Sequence, residues 1–428
     1  MQLNYLDREM KTGNRFKKWA SLKMAVIFII TLLLLQCKSG SSKQAVGELT
    51  EKLAEELAEI DVTKNYPKKE FYLQDIANVE YIPLETNNNT LMRFRQDAIV
   101  HVSDDYIIVQ NYNESDIFVF DGQGKSKFSF NHRGQGPSEY NVLWDVAFDE
   151  KTKEIFVSDL YNPRIHVYDE EGKYKRTLAV SSDLHDIKLY NFDDETLLVY
   201  DETGVFGQGV DDRSYVNKPY LFMSKKDGSI VDSLNIHLPV RLSNAAVLRG
   251  EQDGVNLMYS VSIPIINNLS YGKNYLIADW SADTIYRLTP QKELQPMIVR
   301  KPPLQSTNPK ILLSNSLVAD KFILLGVHVK DDEVLISGRD ISQKQLMYNF
   351  KTGEINEYKL KNKDISSSTD DVTIYGAITP ENTGITMYET GFLFDLDEKG
   401  ELSGDLKEVL KSLDAEDNPV LVKIKFFN

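Results

Sequence analysis

A stretch starting at Tyr106, YIIVQNYNESDIFVFDGQGK, returns 48 positions later as EIFVSDLYNPRIHVYDEEGK, and this repeat limits the fold more than any other feature of the chain. Val109 matches Val157, Ile117 matches Ile165, Asp121 matches Asp169 and Gly124 matches Gly172. Each copy holds two short runs rich in Val, Ile, Tyr and Phe, bounded by Asp, Asn and Gly, which is the pattern of paired strands. The glycine supplies the positive φ of a tight hairpin, and the aspartate caps the turn through its own backbone. The second run and its turn recur more loosely as LFMSKKDG from Leu221, IYRLTPQK from Ile285 and LMYNFKTG from Leu346. A unit of this length suits one four-stranded blade of a propeller.

Five such units leave one blade to find. NPVLVKIKFF, from Asn418, is a strand with no sequential partner, and VEYIPLE, from Val79, is another. Pairing residues near 79–85 with residues near 419–427 closes the ring and removes its open edge. LFDLDEKG, from Leu393, imitates the repeat but leads into GDLKEVLKSLDAED, which is helical. The expected fold is all-β: a six-bladed β-propeller of four-stranded blades, closed by N- and C-terminal strands, with a short helical insertion in the last blade. The competing arrangement has a seventh blade hidden in the long interval 170–275.

The front of the chain is different. Arg15, Lys17, Lys18 and Lys23 precede MAVIFIITLLLL, an apolar run of 12 residues from Met24 to Leu35, too short to span a bilayer and suited to an export signal. Cys37, the chain's single cysteine, follows at once in LLLLQCKSG. That segment resembles the lipobox of bacterial lipoproteins, in which the cysteine thiol takes a diacylglyceryl group. Gln36 stands where a lipobox carries a small residue. A cysteine committed to lipid leaves no disulfide, thiolate metal site or thiol nucleophile. The expected organisation is a lipoprotein signal peptide over 1–37, a tether and short amphipathic helix over 38–66, and the propeller over 67–428. KSGSSKQAV suits the tether, and Leu49, Leu53, Leu57 and Ile60 recur at helical spacing.

The formal net charge is −15, and residues 1–37 contribute +4 of it, so the remaining body carries about −19. Phosphate backbones repel such a surface, which argues against nucleic acid as a partner.

Local catalytic signatures are missing. The six histidines, at 101, 132, 166, 185, 237 and 328, form no HExxH or similar zinc pattern. No GxSxG elbow occurs, and the carboxylate clusters fall between strands without the spacing of a calcium loop. His166 alternates within a strand and reads as structural.

The segment FNHRGQGPSEY, from Phe130, has the paired glycines of a phosphate cradle, but Pro137 and a strand follow them where a helix would be needed. Two readings stay open. In one, the glycines allow a sharp crossing from blade to blade, pinned by Glu139 and Tyr140. In the other, Arg133, Gln135, Glu139 and Tyr140 form part of a binding rim, since such crossings gather on one propeller face.

NHRGQGPSEYNVLWDVAFDEKTKEIFVSDLYNPRIHVYDEEGK resembles an NHL-type propeller repeat. Together with the lipobox and the terminal DNPVLVKIKF, it makes the chain from about residue 66 similar to the six-bladed β-propeller lipoproteins of Bacteroides and related bacteria. Asp159, Asn162 and Arg164 match the Asp, Asn and Arg of the NHL repeat, where they either bridge strands within a blade or, as Asn162 and Arg164, join a binding surface. The resemblance implies a lipid-anchored outer-membrane protein. KSGSS carries none of the acidic residues associated with surface display in those bacteria, which favours the periplasmic face.

The function expected is a binding or scaffold module for a glycan, peptide or envelope protein, acting as a monomer without a cofactor. The alternative is an NHL-like lactonase or lyase, with a single metal ion held in the central channel by residues of several blades.

Overall fold

The computed structural model describes residues 57–427, apart from 93–97, 112, 161, 185, 203–218, 237, 239, 253–254, 264–269, 272–273, 340–341 and 368–370. The chain divides into two units, Met1–Leu57 and Ala58–Asn428. The expected signal sequence, Cys37 and most of the expected tether and helix lie outside the described residues.

Six blades form a β-propeller. Blade one comprises Ile99–Val102, Ile107–Asn111, Asp116–Phe120 and Ser126–Phe130. Blade two comprises Leu143–Asp149, Glu154–Asp159, Asn162–Asp169 and Tyr174–Ala179. Blade three runs from Ile187–Asn191 to Ile230–Ser233, and blade four from Ser270–Tyr271 to Leu294–Lys301. Blade five runs from Lys310–Val318 to Ile355–Lys361. Within each of these blades successive strands pair antiparallel.

The repeated turn has two physical reasons to keep its glycine. Gly124 and Gly172 take φ of 80° and 77°, while Asp121 Oδ1 and Asp169 Oδ1 accept backbone N–H bonds from the residues two and four positions on. Each turn also abuts the outer strand of the preceding blade. A Cβ on Gly172 would lie 2.5 Å from the Phe130 ring, and one on Gly124 would lie 2.3 Å from the Pro83 carbonyl oxygen. The sequence repeat thus encodes both a hairpin and the contact between consecutive blades.

Closure occurs as the terminal segments require. The strand Val420–Phe426 lies between Thr383–Tyr388 and β3 (Ala77–Pro83), antiparallel to both, with Val422 opposite Tyr81 and Thr386. A bridge from Tyr375 to Ile385 extends the sixth blade on its other side. Six buried apolar clusters mark the six interfaces of the ring, including the one between blades six and one, where Ile82, Ile385 and Leu421 meet Ile107, Val109 and Phe120. Each fully buried side chain of this kind contributes about 1.5–3 kcal/mol.

Two features depart from the expected organisation. Ala58–Asp61, here β1, is a strand in place of the end of an amphipathic helix, and it pairs parallel with the outermost strand of blade four, Ile60 opposite Arg300. Ile60 is fully buried in the interface of blades four and five. The body therefore begins at Ala58 and not at residue 67. Alternation of Ala58, Ile60 and Val62 along an available sheet edge overrides the helical spacing. Next, β2 (Lys68–Tyr72) adds parallel to the outermost strand of blade five, Lys69 opposite Tyr358. Blades four and five thus carry a fifth strand, and the chain passes along the outer edges of blades four, five and six before it enters blade one.

The long 170–275 interval holds blade three and an inserted hairpin, Ala245–Gln252 with Val255–Ser262, in place of a seventh blade. In the last blade two helices, Thr390–Glu398 and Gly404–Leu410, lie between the strands Thr383–Tyr388 and Val420–Phe426. They bury Leu393, Leu396, Leu406 and Leu410 against the core of blades five and six. LFDLDEKG is therefore part of the helical insertion.

Candidate binding site

The crossing from blade one to blade two is built around two side chains. Tyr140 is fully buried, its hydroxyl donating to Ser115 O at 2.8 Å and accepting from His132 N at 3.0 Å. Burial pushes its phenol well above the ordinary range. Glu139 Oε2 accepts from Gly136 N at 2.8 Å, and a Cβ on Gly134 would stand 2.0 Å from that oxygen. The paired glycines exist because the backbone wraps closely around a carboxylate, and the His132 ring stacks on Tyr168 at 4.9 Å to close the far side.

The stretch is thus the inter-blade crossing. Tyr140 offers no surface to a ligand, so its expected place on a binding rim is corrected: the hydroxyl is spent on buried backbone groups. Arg133 and Gln135 are exposed, whereas Glu139 is half-buried and bonded within the loop. Asn162 Nδ2 donates to Asp159 Oδ2 at 2.7 Å, and the same oxygen accepts from Asn141 N at 3.1 Å. Asp159 and Asn162 therefore fasten the crossing to the strand pair behind it. Arg164 is half-buried, opposite Ala179 in the sheet. His166 is buried with Nδ1 2.9 Å from Thr177 Oγ1, and burial lowers its imidazole to about 4, as suits a structural residue.

A charged group joins blades two, three and four. Asp145 Oδ2 accepts from Leu189 N at 2.7 Å, and Lys188 Nζ lies 3.4 Å from Asp145 Oδ1 and 5.0 Å from the centre of the Trp144 ring. Tyr200 donates to Asp279 Oδ2 at 3.0 Å, with the Arg241 guanidinium 5.3 Å from the centre of its ring. Burial raises Asp145 and Asp279, and it raises Glu202 to about 7, with Lys188 opposing and Asp145 adding to the shift. Most of these groups are spent on one another or on backbone. Among the described residues no group of three His, Cys, Asp or Glu is placed to hold a metal ion.

Among the described residues, a groove of about 570 Å³ lies between blades five and six. Its walls come from the first four strands of blade five, from β2 and from the segment 371–374. On its floor, Ser314 Oγ lies 3.2 Å from His328 Nε2, with Gly326 between them. A Cβ at Gly326 would stand 2.5 Å from the histidine nitrogen and 2.7 Å from the serine oxygen, so glycine makes room for the pair. Burial lowers His328 to about 4, leaving the ring neutral at physiological pH. Gln343, Gln345 and Tyr358 continue the polar surface outward.

Charges gather at the mouth in pairs. Asp371 holds Lys359 at 2.8 Å together with Lys361, and Lys68 faces Glu357 at 3.8 Å. Lys344 Nζ donates to Asn65 Oδ1 at 2.9 Å. The sequence reading did not single out this site. Its signal is a run of polar residues, Ser314, Asn315 and Ser316, inside the apolar strand KILLSNSLV, with Gly326 and His328 interrupting FILLGVHVK beside it.

Residues 57–425, nearly the whole propeller, match the family described as a domain of unknown function, DUF4934. The chain belongs to the DUF4934 family. No curated protein matches it. Among solved structures, an exported protein of Bacteroides fragilis is 14% identical to this DUF4934 chain, covering 87% of it and 99% of its own length at a TM-score of 0.57. It shares the fold. A member of the DUF4221 family from Bacteroides vulgatus is 10% identical, covering 82% and 98% of the two chains at a TM-score of 0.48. Virginiamycin B lyase from Staphylococcus aureus is 12% identical, covering 82% and 100% at 0.37. Neither of these last two similarities bears on activity.

Proposed function

We propose that this DUF4934 propeller is a binding module of the cell envelope, its rigid ring presenting a groove to a small or extended ligand. The observation that carries the reading is the groove between blades five and six: a concavity of about 570 Å³ whose floor is polar and whose walls are strands held by packed cores on both sides. Pockets of this size with a few convergent polar groups on a rigid scaffold suit ligand recognition. Placement at the envelope is supported by the basic and apolar leader, by Cys37 behind it and by the description of the structurally similar Bacteroides fragilis protein as an exported one. In this reading Cys37 carries lipid and anchors the body at the periplasmic face of the outer membrane.

The test is a binding screen of the full chain, extracted in mild detergent, against glycan and peptide arrays. Saturable binding to one class is the expected result, and no binding to either would overturn the reading. For the anchor, Cys37→Ser should move the protein from the membrane fraction to the soluble fraction. Retention in the membrane would refute lipidation at that position.

A further inference from the structure

We propose that the groove between blades five and six takes an uncharged, hydroxyl-bearing ligand of the oligosaccharide class. This deepens the binding-module reading and rests on it. The floor has hydrogen-bonding capacity without charge: the Ser314 hydroxyl, the His328 ring and, further out, the amides of Gln343 and Gln345. A side-chain amide offers a donor and an acceptor side by side, which matches neighbouring hydroxyls on a sugar ring. At the floor the neutral His328 ring and the Ser314 hydroxyl, Nε2 and Oγ 3.2 Å apart, form a donor and acceptor pair without charge.

Two other ligand classes fit less well. An anion needs a cluster of available cations, but of the lysines that line the groove Lys68, Lys344 and Lys359 already face carboxylates or an amide oxygen, which leaves Lys69, its ammonium 5.0 Å from the centre of the Phe71 ring. An extended peptide is held most simply by strand addition at a sheet edge. On blade five that edge is closed by β2, paired from Lys68 to Tyr72.

Isothermal titration of the full chain in detergent micelles with neutral oligomers (maltohexaose, mannohexaose, xylohexaose), an acidic oligomer (trigalacturonate) and unstructured peptides tests the proposal. Two variants change the groove. Gly326→Ala pushes the new methyl into Ser314 and His328, and Gln345→Ala removes a half-buried amide while leaving the floor packing alone. At least one neutral oligomer should bind, and Gln345→Ala should weaken it by about tenfold, roughly the loss of one good hydrogen bond. Gly326→Ala should weaken it further, and Arg133→Ala, in the blade-crossing loop, should leave it unchanged. Should Gly326→Ala fail to fold, Gln345→Ala decides alone. Peptide or trigalacturonate binding that Gln345→Ala abolishes, with no neutral oligomer bound, would overturn the ligand class and spare the binding module. Neutral binding indifferent to both groove variants would overturn the site. Silence from every probe would overturn both readings.

Discussion

Glu202 shows how far a single buried group can tie the fold to pH. It sits 6% exposed beside Asp145, Lys188 and Arg241, and one of its carboxylate oxygens has no hydrogen-bond partner. Burial raises its folded pKa from 4.5 to about 7. The folded state then holds the proton more tightly than the unfolded chain, so the stability that Glu202 contributes is complete below about pH 4.5 and is lost as pH rises to about 7. Glu202→Gln keeps the shape and cannot ionise. The advantage of the variant over the parent protein should therefore be larger at pH 8 than at pH 5, by at most about 3 kcal/mol. Thermal unfolding at the two pH values checks this, and an equal difference at both would mean that the carboxyl is not held neutral. His166 and His328 work in the opposite direction. Their folded values near 4 mean that stability is complete above about 6.5 and falls as pH drops toward 4.

At the scale of elements, β1 is the informative segment. By helical spacing it belongs to the tether and short amphipathic helix, yet it pairs with Ile298–Lys301 and buries Ile60 completely between blades four and five. Ile60→Ala should lower the free energy of unfolding by about 2–4 kcal/mol, as for other buried large-to-small changes. Leu57→Ala, at an exposed position, should have little effect. Chemical denaturation of both variants separates a strand of the propeller from a tether, since a tether would leave the two alike. The helical spacing misleads at Ile60 because that residue satisfies both a helical and an alternating period. A short segment cannot choose between them until a sheet edge is available to it.

For the molecule as a whole, one strand holds the ring shut. Val422, fully buried at the middle of Val420–Phe426, lies between Thr386 on one side and Tyr81 on the other. Val422→Asp places an unpaired charge there, at a cost of several kcal/mol. The variant should elute as expanded or aggregated material on size exclusion, while Phe427→Asp, at a half-exposed position next to the strand, should elute as the parent does. A compact Val422→Asp protein would show that closure does not depend on this strand. By itself the sequence determined the blade, its turn, the pairing of the chain ends and the helical insertion. Each of these is written in alternation, in the Asp and Gly of a hairpin, or in a strand left without a neighbour, all of which act over a few residues. Only the tertiary structure decided that Tyr140 is buried, that β1 and β2 lie on blades four and five, and that Ser314, His328 and the 371–374 segment share one groove. These depend on which blades become neighbours and which face of a strand meets a gap, and no spacing along the chain records that.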